Sequence, residues 1–204
     1  TEWRLWPIHA VSGCTPDGKV FTSARIVDPA VTNTLAKNGG TVQVSGVITG
    51  DQLGQTNALQ DSIGYRRIFT IGKKNLRVET RVSGGGKDML AELYETIPVY
   101  MRDLQLNTNV PVRIEFKADG KWMEATRDYQ EKVTDVKLVR FNGAVQIVFD
   151  KPRRVKLSSE EWADTFLSRA ICRNLLIDML ENGDKPVALN ESRTVAYRIE
   201  PAAK

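Results

Sequence analysis

The chain has 204 residues, of which 41% are hydrophobic, 26% charged and 7% aromatic, and 29 Lys and Arg stand against 25 Asp and Glu for a formal charge of +4. This is the balance of a folded globular protein large enough to bury a core without disulfides, and it excludes a disordered tail, a collagen and a coiled coil. A pI near 9.1 tilts mildly towards acidic partners but falls short of the clustered basic charge of a nucleic-acid-binding arm.

The chain starts Thr1-Glu2-Trp3-Arg4-Leu5-Trp6, with neither an initiator Met nor the n- and h-regions of a signal peptide, and reads as a mature or excised piece. Asp28 to Gly40, with Pro29, Asn33, Asn38 and Gly39, reads as a long loop. Thr41 to Ile48 then alternates small polar and apolar residues, as a strand with one wet face should. Arg67 to Ile71 and Asn75 to Val82, separated by Gly72-Lys73-Lys74, form a predicted hairpin. In its second strand Leu76, Val78, Thr80 and Val82 face one way, and Arg77, Glu79 and Arg81 face a solvated side.

Val112 to Lys117 alternates cleanly into Asp119-Gly120, a pair tolerant of positive φ, and Lys121-Trp122-Met123 returns from it. Val136 to Phe141 meets Ala144 to Phe149 across Asn142-Gly143, a strong short hairpin signal. Ser158-Ser159-Glu160-Glu161-Trp162-Ala163 has an N-cap followed by first-turn acids, so a short helix or turn is expected near 158–166. Ser168 to Leu180 fits either helical spacing or alternation; the β surroundings favour a strand, closed by Asn182-Gly183-Asp184-Lys185-Pro186. Thr194 to Ile199 is strand-like, with Pro201 as its end. The predicted fold is all-β: one large antiparallel β-sandwich over residues 1–204, with the short helix or turn as its exception.

Several chemistries find no motif. No run of 18 apolar residues spans a membrane. There is no Walker loop and no Gly-x-Gly-x-x-Gly, and Gly84-Gly85-Gly86-Lys87 reads as a turn. Cys14 and Cys172 have no metal spacing; they are either one bridge closing a very long loop or two separately buried thiols. His9, the single histidine, is expected to be a structural or surface residue on a strand. No cofactor is implied; the turns hold many Asp and Asn, but no ordered EF-hand loop for calcium.

A sugar site needs aromatic faces for the apolar side of a pyranose and planar polar groups at the rim. Trp122, with Arg127, Asp128 and Tyr129 following along a polar loop, is the most site-like cluster; plugging the end of a sandwich is the competing role for each Trp. Trp3 and Trp6 fall on opposite faces of a strand, and Trp162 sits in the expected turn. Tyr65-Arg66-Arg67 offers forked donors suited to a uronate or sulfate. In Glu92-Leu93-Tyr94-Glu95-Thr96, alternation puts Glu92 and Tyr94 on one face and Glu95 on the other. One carboxylate must therefore lie near apolar neighbours, as an acid/base group or as a salt bridge to Arg66, Arg67 or Arg102.

In Tyr65 to Ile71, Leu76 to Thr80, Ala91 to Tyr100 and Asn174 to Asp178, the order and phrasing of strands resembles the β-supersandwich domain of heparinase- and alginate-lyase-like polysaccharide lyases. The likeness covers the central and C-terminal two-thirds of the chain. It implies an accessory, non-catalytic module that binds a polysaccharide, acidic ones included, beside a catalytic domain of the same polypeptide, in an extracellular or periplasmic protein. It brings no catalytic residue with it, because that family's catalytic groups lie largely on a helical barrel this chain does not contain. A structural or protein-interaction sandwich, and a lyase or epimerase using carboxylates and Tyr, are the alternatives. Nucleic acid and membrane are not expected partners.

Overall fold

The computed structural model describes residues 9–50, 59–103, 112–140, 143–159, 162–163 and 170–204, without the side chains of 102, 103, 162, 163, 170 and 171. In chain order the strands are β1 (Ala10–Cys14), β2 (Val20–Thr22), β3 (Val27–Asn33), β4 (Gly40–Ile48), β5 (Ile63–Ile71), β6 (Leu76–Ser83), β7 (Met89–Leu90) and β8 (Glu92–Asp103). There follow β9 (Arg113–Ala118), β10 (Lys121–Glu124), β11 (Gln130–Arg140), β12 (Gly143–Leu157), β13 (Trp162–Ala163), β14 (Ala170–Asp178), β15 (Val187–Ala188) and β16 (Arg193–Ala202). No helix occurs among the described residues, and the fold is all-β and antiparallel.

The chain divides into two compact units. The first holds Ala10–Glu95 and Asp178–Ala196; the second holds Thr96–Ile177 and Tyr197–Lys204. Strands β8 and β16 run from one unit into the other.

In the first unit β3, β4, β5 and β6 pair in sequence order, as strands that follow one another in the chain commonly do. The β5–β6 hairpin closes with the Gly72 N–H donating to the Asn75 carbonyl at 2.9 Å, which fixes Ile71 opposite Leu76 and every pair upstream. Val78, Thr80 and Val82 are fully buried and Arg81 is exposed, as alternation requires. Arg77 and Glu79 form a loose pair at 3.9 Å, half exposed, so that side of β6 is solvated. Val11, Phe21, Ile48, Leu90 and Leu93 supply the core.

In the second unit β10, β9, β11 and β12 form a meander. Asp119 and Gly120 have φ of 49° and 77°, the two consecutive positive values of a tight hairpin turn that matches strand twist. The far side of β12 pairs with β16 over Ala144–Phe149 and with β14 over Val155–Leu157. Ile114, Phe116, Val136, Ile147, Phe149 and Tyr197 bury one face of this sheet. His9 lies in this unit, its Nε2 2.7 Å from the Tyr197 hydroxyl, a structural contact.

Residues 170–178 are a strand. Every described side chain from Cys172 to Leu180 is buried, so both faces of β14 are covered and clean alternation is lost, which is why its sequence also fits helical spacing.

Four local expectations change. Trp162 and Ala163 pair with Cys172 and Ile171 as β13, so the alternative of a helix at these residues gives way to a strand; 160–161 and 164–166 lie outside the described residues. The expected loop from Asp28 is strand β3 as far as Asn33; Pro29 is accommodated because β3 is an edge strand carrying a register shift between Val27 and Ala30. Pro201 does not end β16, which continues through Ala202 with Pro201 opposite Val145. Arg140 pairs with Gly143, so Gly143 belongs to the β11–β12 ladder and not to the turn; residues 141–142 lie outside the described residues. Trp3, Trp6, Asn142 and the side chains of Arg102 and Trp162 lie outside the described residues. Cys14 and Cys172 are separate buried thiols, so the bridge is not formed.

Candidate functional site

Tyr65, Arg66 and Arg67 are consecutive on β5, and the pleat sends them to different sides. Tyr65 and Arg67 are buried, 7% and 3% exposed, whereas Arg66 is exposed. Arg67 meets Glu95, the carboxylate on the other face from Glu92 and Tyr94: Nη2 donates to Oε2 at 2.7 Å. Thr80 on β6 joins the two, its hydroxyl accepting from Arg67 Nε at 2.9 Å and donating to Glu95 Oε1 at 3.1 Å. The Tyr65 ring lies 5.6 Å from the Arg67 guanidinium carbon, and burial raises the Tyr65 phenol above its ordinary 10.0. The salt-bridge reading of this segment therefore holds, with Arg67 as partner. Glu92, half-buried, accepts from the Cys14 thiol at 3.4 Å, and Tyr94 is buried. Arg67, Thr80 and Glu95 form an internal brace whose charges meet each other and not a ligand.

On the opposite, outer face of the same strands lies a groove of ≈ 420 Å³ lined by Asp28, Ser45, Val47, Gly64, Arg66, Arg81 and Ser83, with Gly46 and Tyr65 contributing at its floor. The ladder register builds it. Ser45 on β4, Arg66 on β5 and Arg81 on β6 stand side by side in one row, and Val47, Gly64 and Ser83 in the next but one. Gly64 has no side chain, and a Cβ there would lie 2.9 Å from Ser83 Oγ, so the glycine leaves the hollow. Arg81 Nη2 donates to Ser192 Oγ at 2.9 Å, and neither Arg66 nor Arg81 makes an ion pair with a described residue. Two guanidinium groups directly opposite one another repel, a cost that an anion between them would relieve.

The Trp122 cluster is drawn differently. Trp122, on β10 opposite Lys117, is 37% exposed, and its ring carries the Lys137 ammonium 4.6 Å and the Lys117 ammonium 5.7 Å from its centroid. Tyr129 stacks against Arg154 at 3.6 Å and Lys156 at 4.2 Å. These contacts occupy the aromatic faces with the protein's own cations. Glu115, Glu131 and Asp135 pair with Lys137, Arg154 and Lys117, so the charges on this sheet face are largely matched. Arg127 and Asp128 are exposed in the turn between Trp122 and Tyr129, and the Asp128 carbonyl accepts from Thr126.

Gly84 to Lys87 is a turn tied down by carboxylates. Asp61 accepts from the Lys87 N–H at 3.0 Å and pairs with its ammonium at 3.1 Å, which holds the Asp61 carboxyl below its ordinary 3.8. Among the described residues no group of three His, Cys, Asp or Glu is placed to hold a metal ion.

Sequence reasoning found Arg66 but missed Asp28, Ser45, Gly64, Arg81 and Ser83. Arg81 was legible in principle: it lies five residues after Leu76, as Arg66 lies five before Ile71, and the turn sets Ile71 against Leu76.

No family model matches the sequence, and no curated protein matches it. Among solved structures, the chain is similar to heparan sulfate lyase HepC from Pedobacter heparinus, with a TM-score of 0.50 and 12% identity over 88% of this chain and 23% of the lyase. The likeness is one of fold. It is also similar to the Slr1438 protein from Synechocystis sp. PCC 6803, with a TM-score of 0.47 and 9% identity over 86% of this chain and 66% of that one. A candidate aldose 1-epimerase from Escherichia coli K12 gives a TM-score of 0.46 and 10% identity over 86% and 69%. The chain thus spans under a quarter of the lyase's length and shares the architecture of that part.

Proposed function

We propose that this chain is a non-catalytic carbohydrate-binding or accessory β-domain of an extracellular or periplasmic polysaccharide-processing protein, acting beside a catalytic domain of the same polypeptide. The observation that carries the reading is the outer groove of the first unit, whose two arginines stand at an open hollow with no carboxylate in an ion pair with them. The fold shared with part of a heparan sulfate lyase supports it. A groove open at the surface and floored by glycine suits an extended polymer better than an enclosed small molecule.

The test is affinity electrophoresis of the protein through gels containing a neutral glucan, a polyuronate or a lightly sulfated galactan. Retardation by at least one acidic polysaccharide, weakening as salt is raised, is expected. Unretarded migration in all of them overturns the reading and leaves a structural or protein-interaction sandwich.

A further inference from the structure

Asp28 occupies the far side of the same groove, and its backbone is unusual. It has φ of 49°, a left-handed conformation uncommon for a residue with a Cβ, at the place where the β3–β4 register shifts between Val27 and Ala30. A bulge in an edge strand re-aims the side chain it carries. A residue before proline favours extended backbone at negative φ, so the left-handed φ of Asp28 is held by the bulge and not by the local sequence. Within one hollow the chain therefore presents two forked cations from β5 and β6, a carboxylate from the bulge of β3, and two hydroxyls, Ser45 and Ser83, around a residue without a side chain. The two ends want different things. The Arg66 and Arg81 guanidiniums are donors only and match a planar or tetrahedral anion; the Asp28 carboxylate is an acceptor only and matches hydroxyl donors.

We propose that this groove is a subsite for a sugar ring carrying one anionic group, with Arg66 and Arg81 holding the carboxylate or sulfate and Asp28 accepting hydrogen bonds from the ring hydroxyls. The inference rests on the carbohydrate-binding reading above and adds the site and the ligand's chemistry. Asp28 is the element that separates it from simple charge attraction: its negative charge repels an anion, so it is useful only against a ligand that brings hydroxyls. Gly64 sets the depth available to the ring.

The experiment compares the intact protein with Arg66→Gln/Arg81→Gln, Asp28→Asn and Gly64→Val by isothermal titration against a polyuronate, a lightly sulfated galactan and polyacrylate, which has carboxylates but no hydroxyls. Circular dichroism confirms that each variant is folded. The arginine double variant is expected to lose about tenfold or more in affinity for both acidic polysaccharides, in line with the loss of charge-assisted hydrogen bonds. Gly64→Val is expected to weaken both without any change of charge. Asp28→Asn is expected to weaken binding of the polyuronate or the galactan about tenfold while leaving polyacrylate unchanged or tighter. The polysaccharide on which the Asp28 effect falls tells carboxylate from sulfate as the anion held. If the intact protein binds an acidic polysaccharide and the arginine or Gly64 variants bind it equally well, the groove is not the site. Tighter binding of every polymer by Asp28→Asn reduces the groove to charge attraction and overturns the role of Asp28. Absence of binding by the intact protein overturns the carbohydrate reading itself.

Discussion

Arg67, Thr80 and Glu95 show how one residue's burial decides its chemistry. Both charged side chains are removed from water, at 4% and 0% exposure, and each is satisfied by the other and by the Thr80 hydroxyl. Removing one partner strands the other, so Arg67→Met is expected to cost about 3–5 kcal/mol, read as a lower urea midpoint. Replacing both, as Arg67→Met/Glu95→Leu, is expected to recover much of the loss; a double variant as unstable as the single one would show that the pair itself is the stabilising element. The thiols make a second residue-scale case. Burial pushes Cys172 from an ordinary 9.0 to about 11. Below pH 9 the thiol is neutral folded or unfolded, so stability is unaffected; between about pH 9 and 11 only the unfolded chain ionises, and Cys172 then draws stability down. Native protein at pH 8 is expected to resist iodoacetamide at Cys172 and to expose two alkylatable thiols only in denaturant. Rapid labelling of the native protein there would contradict the burial.

Strands and turns were the readable scale. The alternation of β6 and β9 is visible in the sequence because one face of each is wet, and the Asp119-Gly120 turn is visible because two successive positive φ values suit few residue pairs. Gly120→Ala is expected to cost about 1 kcal/mol, measured by thermal melting, since a Cβ there meets no neighbour and only the positive φ opposes it. A neutral substitution would mean that the turn conformation does not matter to stability. Strand β14 was harder to read, because burial on both faces erases alternation. Pro29 and Pro201 misled for a related reason: proline blocks only the ladder position that needs its nitrogen, and pairing decides where that is.

For the whole molecule, the +4 charge is spread through paired rows, and the first-unit groove is the place where two arginines stand without ion-pair partners around an open hollow. A non-catalytic role predicts that incubation with uronate polysaccharides gives no rise in the ultraviolet absorbance of an unsaturated product over hours. A rise would favour the lyase alternative instead. The all-β class and most strand positions were determined by the sequence alone, because side-chain periodicity and turn chemistry are local. The partner of Glu95, the covering of Trp122 by lysines and the meeting of Asp28, Gly64, Arg66 and Arg81 were decided only by the tertiary structure. Each joins residues from different strands, and which rows coincide depends on ladder registers and a bulge that no local pattern encodes.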